Sequence, residues 1–90
     1  MSQMVGDDAA GERPRYTSLQ GQYLAFIYNY SRILKRPPAE ADMRRHFGVT
    51  APSVHQMVVT LEKAGLITRE PGAPRSIEVL VQPSKLPLLL

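Results

Sequence analysis

The fold is decided by residues 47–67, which read FGVTAPSVHQMVVTLEKAGLI. Gly48 can adopt the left-handed conformation that ends a helix, and Thr50 is a residue type that caps the start of the next one. Pro52 is tolerated in the first turn of that helix, where amide hydrogens have no partner within the helix. Apolar residues then recur at three- and four-residue steps, at Val54, Met57, Val58 and Leu61. The stretch therefore predicts a helix end, a tight turn and a second helix over about residues 51–64.

Two helices are predicted before this turn. Thr17 and Gln20 have the spacing of a capping box, and an apolar stripe of helical period follows them to about residue 35. The stripe consists of Leu19, Tyr23, Ile27, Tyr30 and Leu34, with Leu24 and Ser31 beside it. Pro37 and Pro38 stop this helix. A shorter helix is expected over about 40–47, because its first turn is acidic and its last turn basic, as the helix dipole favours.

After Gly65 the pattern changes from helical to extended. Residues 66–70 and 76–81 are typical of two short strands, and the chain-reversing sequence of residues 71–75 forms a turn between them. This predicts a β-hairpin with the basic residue Arg75 at its tip. We expect residues 1–15 to be disordered, residues 16–82 to form one domain, and residues 83–90 to be an apolar tail with exposed leucines.

The predicted fold is mainly α with a small β-hairpin: three helices followed by a two-stranded wing, the winged helix-turn-helix arrangement. An α-helix fits the major groove of duplex DNA, and its N-terminal residues reach the base edges. We therefore predict sequence-specific binding to double-stranded DNA. The helix over 51–64 is expected in the major groove, and the wing over 70–76 on the backbone or in the minor groove.

The run from Thr17 to Leu80 resembles the N-terminal DNA-binding domain of LexA repressors. The resemblance is carried by Pro37-Pro38, Phe47-Gly48-Val49-Thr50, Ala51-Pro52-Ser53-Val54, Leu61-Glu62-Lys63-Ala64-Gly65-Leu66-Ile67 and the wing from Gly72 to Ile77. The segment from Leu61 to Ile67 is also similar to MarR-type and other winged-helix regulators. The resemblance implies a transcriptional regulator, and we expect it to act as a dimer on a two-fold site.

Two departures from the family pattern limit what the resemblance implies. LexA-like repressors carry a C-terminal self-cleaving protease domain with a Ser–Lys dyad, and the resemblance does not extend to it. Ala64-Gly65 is predicted to end a helix, so it is not taken as a cleavage site. Ala39 stands where the family commonly has a hydroxyl residue at the start of helix two, a poorer cap by about 1 kcal/mol.

The candidate DNA-contacting residues lie at the turn, on the exposed side of helix three and at the wing tip. A step of 100° per residue puts Gln56 on the face opposite the core, with Ser53 along one flank. Ser53 is suited to a phosphate, and Gln56 can read adenine through two hydrogen bonds worth about 1–3 kcal/mol. The full set is Thr50, Ala51, Ser53, His55, Gln56, Thr60, Lys63 and Arg75. The alternative is that these are ordinary solvated residues, or, for His55, a partly packed histidine.

Three further basic residues are weaker candidates. Arg69 can be neutralised across the hairpin by Glu70 and Glu78. Arg44 and Arg45 are typical of a solvated helix end, although one of them can touch the DNA backbone.

Composition excludes several classes of function. The net charge of +3 is a mild excess that fits a surface meeting phosphates. The sequence has no cysteine, and its two histidines lack ligand spacing, so no metal or cofactor is expected. Neither a nucleophilic triad nor a Gly-rich phosphate loop is present, and we predict that the chain is not an enzyme. Without an apolar run of about 20 residues or a signal-peptide pattern, a cytoplasmic protein is expected.

An alternative function is a winged-helix module for protein–protein interaction or dimerisation that does not bind DNA by itself. Its contacts would be made by the four tyrosines and by the leucines of the tail. The helical spacing of the tyrosines favours packing within or between proteins over stacking on unpaired bases.

Overall fold

A computed structural model describes residues 15–90. The elements along the chain are α1 (Ser18–Leu34), α2 (Glu40–Phe47), α3 (Ala51–Lys63), β1 (Ile67–Thr68), β2 (Glu78–Val79) and a short 3-10 helix (Pro83–Lys85). The two strands pair antiparallel, with Ile67 opposite Val79 and Thr68 opposite Glu78. The predicted fold class, three helices and a two-stranded wing, is confirmed. The disorder expected for residues 1–15 falls, except at Arg15, outside the described residues.

The helices begin and end at the residues that supply their terminal hydrogen bonds. Thr17 Oγ1 accepts from the backbone N–H of Gln20 at 3.1 Å, and Gln20 Oε1 accepts from the N–H of Thr17 at 2.9 Å, so the predicted capping box is confirmed. Ala39 has no side-chain oxygen to cap α2, and Asp42 Oδ2 instead accepts from the Ala39 N–H at 2.8 Å. Gly48 ends α2 in the left-handed region, at φ 66°.

The core lies where one face of α1 meets α2, α3 and the hairpin. Its fully buried members include Leu24 and Ile27 of α1, Met43 of α2, and Val54, Val58 and Leu61 of α3. Leu66, Ile67 and Ile77 close it from the hairpin side. The expected stripe on α1 is wrong at both ends, because Leu19 is 55% exposed and Leu34 is 50% exposed. With 17 residues, α1 is longer than α2 or α3, and its terminal turns lie outside the core.

The hairpin is shorter than predicted, with two residues in each strand instead of five and six. Strand pairing stops after Thr68 because a side chain takes over the hydrogen bonding. Ser76 Oγ accepts from the Glu70 N–H at 2.9 Å and lies 2.9 Å from the carbonyl oxygen of Ala73. The turn between the strands is therefore held by the Ser76 hydroxyl and by one backbone hydrogen bond, from the Ala73 N–H to the Glu70 carbonyl at 3.1 Å.

Residues 83–90 pack along α1. The Tyr16 hydroxyl donates to the Lys85 carbonyl at 2.6 Å, and the Gln22 side-chain amide bonds the backbone of Leu88 and Leu90 at 2.9 and 2.8 Å. Leu86 and Leu89 are partly buried against the core, so the expectation of exposed leucines is wrong for these two. Leu88 and Leu90 are 86% and 94% exposed. Among residues 15–90, no helix combines the length and apolar character needed to span a membrane.

Candidate nucleic-acid interface

The turn between α2 and α3 is fixed from both sides. Phe47, the last residue of α2, stacks on Tyr23 of α1 with ring centroids 4.1 Å apart, and burial raises the pKa of the Tyr23 hydroxyl. At the other end, Thr50 Oγ1 accepts from the backbone N–H of Ser53 at 3.3 Å and caps α3. The buried position of Tyr23 confirms that it packs in the core and does not face solvent. The start of α3 is therefore held at a defined angle to α2.

The two faces of α3 are separated as predicted. Val54, Val58 and Leu61 are fully buried, whereas the opposite side of the helix faces solvent. Its exposed residues are Ala51, Pro52, Ser53, His55, Gln56 and Lys63. Val59 and Thr60 are half-buried. The first two turns of α3 thus present a continuous exposed surface.

Ser53 and Gln56 have hydrogen-bonding groups available on this surface. Thr50 Oγ1 donates to Ser53 Oγ at 3.0 Å, so the hydroxyl hydrogen of Ser53 remains free to donate outward. Within residues 15–90, the Gln56 side-chain amide makes no hydrogen bond. A free amide can both donate and accept, which is the pattern that adenine presents in the major groove.

His55 is partly engaged by its neighbours. Its Nδ1 lies 3.2 Å from Glu40 Oε2, which leaves Nε2 as the free ring nitrogen. Arg69 reaches the same Glu40 oxygen at 3.6 Å and donates to Glu62 Oε1 at 3.0 Å. Arg69 is therefore neutralised by Glu40 and Glu62. The expectation that Glu70 and Glu78 do this across the hairpin is wrong, because Arg69 turns toward the helices.

The remaining candidates on α3 differ in their availability. The Thr60 hydroxyl donates to the Gln56 carbonyl at 2.9 Å, so its hydrogen is used within the helix. Lys63 is exposed and has no ion pair with any residue of the described chain. At the end of α2, Arg45 forms a 2.6 Å ion pair with Asp42. Lys63, the only lysine or arginine of α3, is thus available to a phosphate.

Arg75 does not stand free at the wing tip. Its NH1 atom lies 3.1 Å from Asp42 Oδ2, 3.1 Å from the Tyr30 hydroxyl and 3.3 Å from the Pro37 carbonyl. Arg75 lies in the turn of the hairpin, as predicted, but its guanidinium is engaged within the molecule because Asp42 offers a nearly buried carboxylate, 10% exposed, within reach. The exposed tip is formed instead by the residues of 71–74, none of which is charged.

Asp42 is the residue of this region that sequence reasoning missed. Its pKa is lowered, first by the hydrogen bond from the Ala39 backbone and then by the charge of Arg75, a hydrogen bond with Tyr30 and the charge of Arg45, against opposing desolvation. The pKa of Arg75 is raised, chiefly by its hydrogen bond with Tyr30. The available signal was an acid three residues after Ala39, the position from which a side chain can reach back to the helix start.

Comparison with known proteins agrees with this geometry. The profile of the LexA DNA binding domain family matches residues 15–76. The chain is 38% identical over 66 residues to the LexA repressor of Thermosipho melanesiensis and 37% identical over 67 residues to that of Thermosipho africanus. These alignments cover 73% and 74% of this chain, and 33% and 34% of the relatives.

A repressor with lower sequence identity also matches most of the chain. The LexA repressor of Bartonella quintana is 32% identical over 71 residues, covering 78% of this chain and 30% of its own length. The chain thus spans about a third of the length of the curated relatives it matches. The match includes the turn, α3 and the wing up to Ser76. This chain therefore belongs to the LexA DNA binding domain family.

Proposed function

We propose that this chain binds duplex DNA sequence-specifically as the DNA-binding part of a transcriptional repressor, with α3 in the major groove. The observation that carries the proposal is the exposed start of α3, where Ser53 and Gln56 keep free polar groups on a helix anchored by three fully buried residues. A site on a rigid helix holds its contacts more accurately than one on a loop.

Each contact has a defined role in this proposal. Gln56 reads a base edge, whereas Ser53 and Lys63 bind phosphates. The free Nε2 of His55 adds a contact to a base edge or to a phosphate. Thr50 and Ala51, at the start of α3, approach the sugar-phosphate backbone of the DNA. Thr60 contributes through its methyl group, because its hydroxyl hydrogen is bonded within α3.

The test begins with selection of bound sequences from a random duplex pool, followed by affinity measurements on the enriched duplex. Gln56→Ala is expected to lose about 5- to 150-fold on the preferred sequence and to tolerate changes at one base position, since a bidentate base contact contributes about 1–3 kcal/mol. Lys63→Ala is expected to weaken binding to all sequences and to reduce the slope of log K against log salt by about 0.9.

The matched control is Gln82→Ala, an exposed glutamine in the segment after β2. This variant should bind as the wild type does. No enrichment of any motif, or an equal loss for Gln56→Ala on every duplex, would contradict the proposal.

A second candidate function is self-association. Ile33 is 73% exposed on α1, and Leu88 and Leu90 project from the tail that packs on the same helix. Two copies joined through this surface would be suited to a two-fold DNA site. Sedimentation of the wild type and of Ile33→Glu tests this: a dimer that the substitution dissociates supports it, and a wild-type monomer at high concentration contradicts it.

A further inference from the structure

Arg75 connects the wing to three other parts of the molecule through one guanidinium nitrogen. Its NH1 atom contacts Tyr30 of α1, the Pro37 carbonyl in the linker, and Asp42 of α2. We call this set, Arg75 with Tyr30, Pro37 and Asp42, the Arg75 clasp. Arg75 adopts φ 56°, a left-handed conformation that is unfavourable for a residue with a side chain. Its side-chain contacts offset that cost.

Asp42 is bonded on both oxygens. Oδ2 accepts from the Ala39 N–H at 2.8 Å and contacts Arg75 at 3.1 Å, while Oδ1 accepts from Arg45 at 2.6 Å. A carboxylate that is only 10% exposed has lost most of its water, and these bonds replace it. The first turn of α2 and the wing are therefore tied to the same carboxylate.

The wing has few other attachments near its tip. Its strands pair at only two positions, and a two-stranded hairpin of this length is marginal by itself. The turn carries no buried side chain between Thr68 and Ile77. The orientation of the tip thus depends on side-chain contacts at its base. These are the ion pairs of Arg69 with Glu40 and Glu62, and the Arg75 clasp, which spans the largest distance along the chain.

We propose that Arg75 is a positioning residue: through Asp42 and Tyr30 it holds the wing at a fixed angle to α2 and α3, so that both reach one duplex together. The inference rests on the proposed DNA binding and assigns Arg75 a role other than phosphate contact. Other residues of the wing contact the DNA, and the Arg75 clasp determines their position.

The two roles of Arg75 predict opposite results for Asp42→Asn. If Arg75 binds a phosphate, the substitution releases the guanidinium and adds one unit of positive charge, so DNA affinity rises. If Arg75 positions the wing, the same substitution loosens the clasp, and affinity falls despite the added charge. Glu78→Gln is the matched control, because it removes an exposed acid from β2 and changes the net charge equally.

The experiment measures affinity for the selected duplex between 50 and 200 mM salt, together with amide hydrogen exchange across residues 69–76. Asp42→Asn and Arg75→Ala are each expected to weaken binding by about 3- to 10-fold. Because both remove the same coupled contact, the double variant should lose no more affinity than the single variant that loses more. The salt slope stays at the wild-type value. Amide exchange in the wing should rise in all three variants. The control Glu78→Gln should neither lower the affinity nor raise the exchange.

Tighter binding by Asp42→Asn, with a salt slope reduced by about 0.9 in Arg75→Ala, would overturn the proposal in favour of a phosphate contact. If Asp42→Asn fails to fold, Tyr30→Phe carries the comparison, since it removes one hydroxyl and keeps the ion pair. Unchanged wing exchange in Tyr30→Phe would then overturn the proposal. Failure of the wild type to bind any duplex contradicts the proposed function instead, and wing exchange still reports whether the clasp holds.

Discussion

Replacing Gly21 by alanine is expected to destabilise the protein, although alanine is the better helix former. A Cβ atom at position 21 would lie 2.7 Å from Cε1 of Tyr16 and 3.1 Å from Cγ of Pro87. Non-bonded carbons prefer separations of about 3.5–4.0 Å, so the Tyr16 ring must move. Because Tyr16 donates to the Lys85 carbonyl, its movement also loosens the tail around Leu86 and Leu89, although Gln22 still bonds Leu88 and Leu90.

The magnitude follows from what Tyr16 and the tail contribute. The hydrogen bond is worth about 1 kcal/mol, and partial burial of Leu86 and Leu89 about 1 kcal/mol each. Alanine returns about 1 kcal/mol through its helix propensity. The expected net loss is therefore about 2 kcal/mol, which corresponds to a fall in Tm of about 8–16 °C for a domain of this size.

Thermal and urea denaturation followed by circular dichroism measure this loss, and Tyr16→Ala supplies the control background. Without the tyrosine ring the main overlap is gone, and Gly21→Ala should stabilise that background by about 1 kcal/mol. The substitution thus changes sign between the two backgrounds. An equal effect in both backgrounds, or a stabilised Gly21→Ala single variant, would show that the Tyr16 ring does not restrict position 21.

Three further predictions concern the helices that carry the interface. Thr50→Ala should lower stability by about 1 kcal/mol and Tm by about 4–8 °C, whereas Thr50→Ser keeps the cap; equal Tm values for the two variants would contradict this. Met43→Ala should lower the free energy of unfolding, measured by urea denaturation, by about 2–5 kcal/mol, because Met43 is fully buried. A loss under about 1 kcal/mol would contradict this and would show that neighbouring side chains fill the cavity.

The third concerns acid. The pKa of Asp42 is lowered on folding, so its charge stabilises the fold above the ordinary aspartate value of 3.8 and that contribution is lost as pH falls through the folded value. The difference in the free energy of unfolding between wild type and Asp42→Asn should therefore narrow as the pH falls below 3.8. A difference that stays constant with pH would contradict the stabilising role of the Asp42 charge.

The helices could be predicted from sequence because their ends are set by local chemistry. Thr17 with Gln20, the left-handed Gly48 and the Thr50 cap each act within four residues, and the predicted ranges agree with the structure to within one residue. The separation of core and exposed faces on α3 follows from helical period alone, which is why Ser53 and Gln56 were found as exposed candidates.

The parts that could not be predicted depend on contacts between residues far apart in sequence. Arg75 meets Tyr30 across 45 positions, and the Tyr16 hydroxyl meets Lys85 across 69. Periodicity carries no information on such pairs, so the sequence predicts Arg75 at the tip of the hairpin and exposed leucines in the tail, but not the partners of either. The shortened strands have a local cause instead, since beyond Thr68 the backbone of Glu70 bonds to the Ser76 hydroxyl and to the Ala73 N–H within the turn.

The most direct test is an NMR titration of the isotope-labelled protein with the selected duplex. We expect the largest amide shift changes on residues 50–56, with smaller changes in the wing at 70–76. Changes confined to α1 and residues 86–90, with the start of α3 unaffected, would contradict the placement of that helix in the major groove.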